Sequence, residues 1–333
     1  MSESRRNFVE KLAGFAALAE QVLAQTSSPS ETGVPTRVLG RTGVRVPIIT
    51  LGGWHIGAIR DHAEAIRIMH AALDEGITFF DNCWDYHNGH AEEIMGKALA
   101  MDGRRKKVFL MSKVCDRDYA GAKTHLEDSL RRLQTDHIDL WQFHEMCHDN
   151  DPDWVFDKGG IRAALEAREQ GKVRFIGFTG HKGPSIHLKM LGKPHEWDTA
   201  QMPINVMDAV YRSFQNEVVP VCLQRNIGVI GMKGLGGGFP KGRFEQYTDL
   251  SVEDCYRFAL SLPVSTQVVG INSMDHLKKD LAIARGYKTM SNEERTALIS
   301  KVREIAGDGR HELFKSTQAF EGPHHLKQHG FAA

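Results

Sequence analysis

Eight short apolar runs, each followed by a stretch of helical periodicity, recur along the chain from residue 36. This alternation limits the possible folds more than any other feature. The runs are Ile48–Gly52, Ile77–Phe80, Val108–Ser112, Ile138–Phe143, Val173–Phe178, Thr199–Met202, Ile227–Gly231 and Thr266–Val269. They are rich in β-branched and aromatic residues, and several lack polar alternation, as strands buried on both faces do. The stretches between them are Ala63–Glu75, Ala91–Ala100, Ala122–Leu133, Gly160–Glu169, Ser185–Leu191, Phe214–Arg225, Val252–Leu260 and Asp275–Ala284. In the first of these, Ile66, Ile68, Met69, Ala72 and Leu73 fall largely along one stripe. Gly76 and Gly171 read as helix stops, and Asp275 as a helix N-terminal residue. Strands that alternate with helices are parallel and joined by crossovers. Eight repeats predict closure into an α/β (β/α)8 TIM barrel, a fold that reaches this length as one domain. An open doubly wound sheet is the alternative. It would carry a glycine fingerprint after the first strand, and Leu51-Gly52-Gly53-Trp54-His55-Ile56-Gly57 does not fit G-x-G-x-x-G. Met290–Gly307 reads as one more helix, followed by a polar tail.

The 333 residues carry 42 Lys plus Arg and 42 Asp plus Glu, so no basic excess exists to neutralise phosphates and nucleic acid is not an expected partner. No apolar stretch is long enough to span a bilayer. The sequence does not set an oligomeric state. Residues 1–35 read as a signal-like or flexible segment before the barrel of residues 36–333. Within it, Ser4–Lys11 contains twin arginines, Leu12–Ala19 is a short apolar run, and small residues near Ala24 offer a cleavage point. This arrangement resembles a twin-arginine export signal. Glu20 interrupts the stretch, so export and cytoplasmic residence both stay open.

In such a barrel, residues at the C-terminal ends of the strands face the active site. Asp81 follows the second run, Tyr86 the turn after it, Lys113 ends the third and His144 ends the fourth. Carbonyl reduction needs hydride delivered to carbon and a proton delivered to oxygen. A tyrosine can give that proton, a cation against its hydroxyl lowers its pKa towards the working range, and a carboxylate can hold the cation. A histidine can hydrogen-bond the substrate oxygen.

The segment Phe80-Asp81-Asn82-Cys83-Trp84-Asp85-Tyr86, continuing to Lys97, resembles the aldo-keto reductase pattern F-D-T-A-x-x-Y-G-x-S-E-E. Val108–Lys113, Asp139–His144 and Leu39–Gly43 resemble that family's lysine strand, histidine strand and opening hairpin. The resemblance implies Tyr86 as general acid and base, with Asp81, Lys113 and His144 completing a catalytic tetrad. It also implies a nicotinamide cofactor, NAD(P)H, and a small-molecule carbonyl or alcohol substrate.

On the cofactor side the resemblance implies Gly53 and Trp54 after the first strand and Gln201 and Asn205 on the sixth. Thr179 stands where the family has serine; Gly180 has no side chain to replace its asparagine, and His181 is the available substitute. Met232, Lys233, Gly234 and Leu235 open a glycine loop suited to pyrophosphate. Gly270, Asn272, Ser273, Leu277 and Asp280 follow the eighth strand. Asn272 and Ser273 are neutral where NADPH-preferring members carry a base, and Lys279-Asp280 replaces the family's E-N pair, so NADH and NADPH both stay open. Trp54, His55, Trp84, His87 and Asn88 are expected at the pocket mouth, a composition suited to a sugar or polyol.

Five scattered cysteines form no zinc spacing, and no metal is expected. A non-catalytic binding or sensor module on the same fold is the alternative function. A metal-dependent barrel hydrolase lacks the H-x-H it would need after the first strand.

Overall fold

The computed structural model describes residues 17–26, 33–237, 244 and 248–331. An antiparallel hairpin, β1 (Thr36–Val38) and β2 (Arg45–Pro47), precedes a closed parallel barrel. The barrel strands are β3 (Ile49–Gly52), β4 (Phe79–Asp81), β5 (Phe109–Val114), β6 (Ile138–Phe143), β7 (Val173–Thr179), β8 (Thr199–Pro203), β9 (Gly228–Met232) and β10 (Thr266–Val269). Closure is made where Gln267, Val268 and Val269 pair with Ile49, Thr50 and Leu51. This is the (β/α)8 barrel expected from the alternation.

The apolar runs lack alternation because both faces of each strand are buried, in two separate cores. Inside the barrel, Phe79, Phe109, Met111, Leu140 and Ile230 pack together, with Leu39 and Val46 from the hairpin closing the lower end. Phe79 and Phe109 meet edge to face with ring centroids 4.8 Å apart. Outside it, Phe80, Leu110, Trp141, Phe143 and Ile176 pack against the helices. Some polar strand positions pair with one another, as in Thr50 with Thr266 at 2.7 Å and Gln142 with Thr199 at 2.9 Å.

The surrounding helices follow local signals. Asp61 caps His62–Asp74 by accepting from the Ala63 and Glu64 amides, and Gly76 leaves that helix at φ +100°. The expected helix Phe214–Arg225 is two pieces, Phe214–Glu217 and Val219–Gln224. Pro220 explains the break, since it has no amide hydrogen to donate back across the junction. Ser273, not Asp275, caps Met274–Arg285, and Asp275 lies in its first turn. Asn292–Ala306 starts at a reciprocal Ser291–Glu294 capping box.

The largest departure from the sequence reading is the C-terminus. The expected polar tail contains two helices, Leu313–Ser316 and Pro323–Gln328, laid across the C-terminal ends of the strands. Its anchor is Lys315, fully buried, whose ammonium lies 2.6 Å from Asp208 and 3.0 Å from Glu312. At the other end of the chain, Ser4–Lys11 and residues 12–16 lie outside the described residues. Residues 17–24 are helical, and Thr26 accepts a 2.8 Å hydrogen bond from the buried Arg37.

Candidate active site

Three strand ends and one turn deliver the chemistry. Asp81 is the last residue of β4, Lys113 lies near the end of β5, and His144 follows β6 directly. Register places Asp81 beside Met111 and Lys113 beside Gln142, so the side chains converge at one level of the barrel. Tyr86 opens a distorted turn, Tyr86–Gly89, in which His87 and Asn88 both take positive φ. That strain swings the chain back so that the Tyr86 hydroxyl reaches the strand ends.

Lys113 is the hub. Its ammonium is hydrogen-bonded to Asp81, donates to the Asn82 carbonyl at 2.7 Å and lies 3.2 Å from the Tyr86 hydroxyl. Both members of the Asp81–Lys113 pair are almost wholly buried. Burial pushes the Asp81 carboxyl up, and the Lys113 charge opposes that shift. The net shift of the Tyr86 phenol runs opposite to the lowering expected from the Lys113 charge. Burial, and then the acidic groups of Asp81, Cys83, Asp85 and Glu145, push the Tyr86 phenol well above its ordinary value. The lysine charge is already matched by Asp81, so carboxylates dominate the field at the phenol.

His144 stands edge-on to Tyr86, with ring centroids 5.6 Å apart. Burial draws its pKa down to about 4, which keeps the imidazole neutral. Arg117 fixes the strand end behind it, donating to the His144 carbonyl at 2.7 Å and the Glu145 carbonyl at 3.0 Å while pairing with buried Asp151 at 3.1 Å.

The residues expected to hold a cofactor fall into two groups. Thr179, Gln201, His181, Asn205, Met232 and Lys233 gather at the ends of β7, β8 and β9. Thr179 is paired in register with Gln201. The Gln201 side chain donates to Met232 sulfur at 3.8 Å, while its buried Oε1 has no hydrogen-bond partner. Lys233 adopts φ +57°, and its ammonium rests 5.2 Å from the ring centroids of both Phe314 and Phe320. Burial lowers its pKa to about 8. The C-terminal segment engages this group directly. His181 Nδ1 donates to the Phe314 carbonyl at 2.9 Å, and Asn205 donates to Glu312 at 3.1 Å. Gly234 and Leu235 follow, both buried, whereas Gly238 of the same loop lies outside the described residues.

The second group surrounds β3 and β10. Gly53 and Trp54 begin the short helix Gly53–Gly57. Trp54 is 51% exposed and meets Tyr86 edge to face at 5.3 Å. Gly270 packs beneath the exposed His55 ring. Asn272 is exposed, Ser273 accepts from the His276 amide at 3.2 Å, and Leu277 and Asp280 are buried. Of the five expected mouth residues, Trp84 departs. It stacks on His125 at 3.5 Å, against the helix Tyr119–Arg132, and donates to Asp128 at 3.2 Å.

Sequence reasoning missed Asp85, Glu145, Arg117 and Asp151, which set the field around the tetrad. It also missed Glu312, Phe314 and Lys315, which close over the cofactor-side residues. Only the positive φ of Glu145 marks it locally, and φ is not legible in a non-glycine residue.

Comparisons with known proteins agree with this geometry. The Aldo/keto reductase family model matches residues 48–255. The uncharacterized oxidoreductase YrpG of Bacillus subtilis (strain 168) is 34% identical over 231 residues, covering 62% of this chain and 68% of that protein. The aldo-keto reductase YhdN of the same organism is 31% identical over 226 residues, covering 62% of this chain and 64% of that protein. Among solved structures, aldo-keto reductase AKR11C1 from Bacillus halodurans (holo form) superposes with a TM-score of 0.67 at 26% identity, over 84% of this chain and 99% of that one. With this match over more than half its length, on a closed barrel with the family's residues at its strand ends, the chain belongs to the aldo/keto reductase family of NAD(P)-dependent oxidoreductases.

Proposed function

We propose that the chain interconverts a small carbonyl compound and its alcohol, with Tyr86 as general acid and base. The observation that carries this reading is the connected set Asp81–Lys113–Tyr86, with His144 beside it, at consecutive strand ends.

A bound nicotinamide supplies or accepts hydride at the carbonyl carbon. Two features fit such a group. The orphaned buried Oε1 of Gln201 is an acceptor suited to a carboxamide, and Lys233 is a half-buried cation suited to pyrophosphate. Tyr86 gives its proton to the carbonyl oxygen. Lys113, fixed by Asp81 and the Asn82 carbonyl, stands 3.2 Å from the phenolate oxygen that this transfer creates and stabilises it. His144, neutral, orients the substrate oxygen by hydrogen bonding. Trp54, half exposed and edge-on to Tyr86, offers an apolar platform for one face of a sugar or polyol.

The test is a screen of NADH and NADPH oxidation against aldehydes, ketones and keto-sugars. Turnover that requires Tyr86 supports the reading. Dinucleotide binding with no turnover of any carbonyl or alcohol would move the chain to the non-catalytic binding module.

A further inference from the structure

Cys83 and Cys115, thirty-two positions apart, meet beside the tetrad with sulfur atoms 3.8 Å from each other. Both face one ring nitrogen. His144 Nδ1 lies 3.1 Å from the Cys83 sulfur and 3.6 Å from the Cys115 sulfur. A carboxylate closes the group, with Asp85 Oδ1 3.6 Å from the same nitrogen and its side chain 9% exposed. That oxygen is buried and has no hydrogen-bond partner. The four donor atoms lie within 4.8 Å of one another.

Hydrogen bonding satisfies only part of the set. The Cys83 thiol can donate to the Lys113 carbonyl at 3.8 Å and the Cys115 thiol to His144 Nδ1 at 3.6 Å, yet the carboxylate oxygen beside them receives nothing. A disulfide does not account for it either, since bonded sulfurs are about 2.0 Å apart. Tetrahedral zinc fits the spacing more closely. Bonds of about 2.3 Å to sulfur and about 2.0–2.1 Å to nitrogen put two sulfurs about 3.8 Å apart, as here, and sulfur and nitrogen about 3.5 Å apart, against 3.6 Å for Cys115 and 3.1 Å for Cys83.

We propose that Cys83, Cys115, Asp85 and His144 bind a thiophilic divalent cation, zinc by preference, in a closed four-ligand site next to the reaction centre. Two thiolates and an imidazole select zinc over the hard cations magnesium and calcium. Binding releases the two thiol protons to solvent. The ion then holds two thiolates, one carboxylate and one neutral imidazole. Because the protein fills all four positions, the ion acts by positioning and does not act as a Lewis acid on substrate. Ligation through Nδ1 leaves the His144 proton on Nε2, where it is a hydrogen-bond donor. It also ties the segment leading to Tyr86 to the ends of β5 and β6. No zinc spacing announces this set in the sequence, because its members come from three separate strand ends. The inference rests on these contacts and not on the proposed reduction.

The experiment uses the full chain, purified with a thiol reductant, stripped with a chelator, dialysed and titrated with cobalt(II) alone. One cobalt per chain is expected, with a thiolate-to-cobalt charge-transfer band in the near ultraviolet that one equivalent of zinc abolishes. Cys83→Ser and Cys115→Ser should each lose the paired-thiolate spectrum. Asp85→Asn, which keeps both thiols, should weaken binding about tenfold or more, and it carries the test if a serine variant does not fold. The nearby clusters His148–His325–His329 and Asp116–His125–His324 contain no thiol, so cobalt held there gives no such band. Cobalt uptake without the band, a band that survives in both serine variants, or no uptake would each overturn the proposal. These readings are taken without dinucleotide or carbonyl. A chain that reduces carbonyls but shows no thiolate band therefore defeats this inference alone, and one that shows the band but turns over nothing defeats the proposed function alone.

Discussion

Tyr86 is held by neighbours with opposed effects. Lys113 lies 3.2 Å from its hydroxyl and 4.6 Å from its ring centroid, while burial and four acidic groups oppose loss of its proton. The phenol is therefore not a standing phenolate, and in the proposed role its proton release would be coupled to charge arriving on substrate. Tyr86→Phe keeps the ring that packs on Trp54 and His144 and removes only the oxygen. The expected outcome is a fall in kcat of about 10²- to 10⁴-fold, the usual contribution of a positioned acid, with dinucleotide affinity nearly unchanged. Stopped-flow turnover beside fluorescence titration of the dinucleotide checks both halves. A variant that keeps kcat removes Tyr86 from the role.

At the scale of elements, the helix Pro323–Gln328 is pinned to the barrel by charge. Burial opposes a positive His325, but the hydrogen bond to Asp151 and the Glu321 carboxylate 3.5 Å away outweigh it and raise the pKa to about 9. An unfolded histidine titrates near 6.5. The folded value is the higher one, so the stabilisation is complete below about pH 6.5 and is lost as pH rises through about 9. Wild-type protein should therefore exceed His325→Asn in urea stability at pH 6, with the gap closing by pH 10. A gap independent of pH would show that His325 contributes through packing alone.

The loop after β10 bears on dinucleotide choice. Asn272 carries no charge, and the Ser273 hydroxyl accepts the His276 amide, which leaves Lys278 and Lys279, both exposed, as the nearest bases in sequence. A 2′-phosphate needs charge-assisted donors. NADPH is expected to bind less than about a hundredfold tighter than NADH, by fluorescence quenching with both dinucleotides. A larger ratio would mean that a lysine reaches the phosphate.

What the sequence made legible follows from how each element is specified. The barrel strands are written as continuous apolar runs because two cores flank them, and Ile138–Phe143 and Thr266–Val269 match residue for residue. The tetrad was legible because strand ends are fixed by the same periodicity. The C-terminal segment was not. Lys315, His325 and Glu321 are polar letters that signal solvent until Asp208, Asp151 and Lys182, more than a hundred positions away, supply their respective partners. Cys83 and Cys115 likewise become neighbours only when the strand order is known.

For the whole molecule, the twin arginines precede everything the structure describes. No helix of the described residues is long and apolar enough to cross a membrane. If residues 4–24 work as an export signal, cell fractionation should find a mature form beginning after Ala24. That cut removes the helix at 17–24 and leaves Thr26, the acceptor for Arg37, in place. A full-length chain confined to the cytoplasm would end the export reading.

The C-terminal segment reaches His181, Asn205 and Lys233 through Phe314, Glu312 and Phe320, the same groups proposed to grip the nicotinamide dinucleotide. If the proposed dinucleotide sits beneath that segment, it would leave only when the segment's charged anchors let go. The barrel would then behave as a flask with a stopper rather than an open bowl, and one dinucleotide would serve successive substrates. Deuterium lifted from the carbinol carbon of one alcohol would be handed to the next carbonyl before it could mix with free coenzyme. A labelled alcohol, an unlabelled aldehyde and a large excess of unlabelled dinucleotide would reveal this by mass spectrometry, as deuterium in the product alcohol undiluted by the pool.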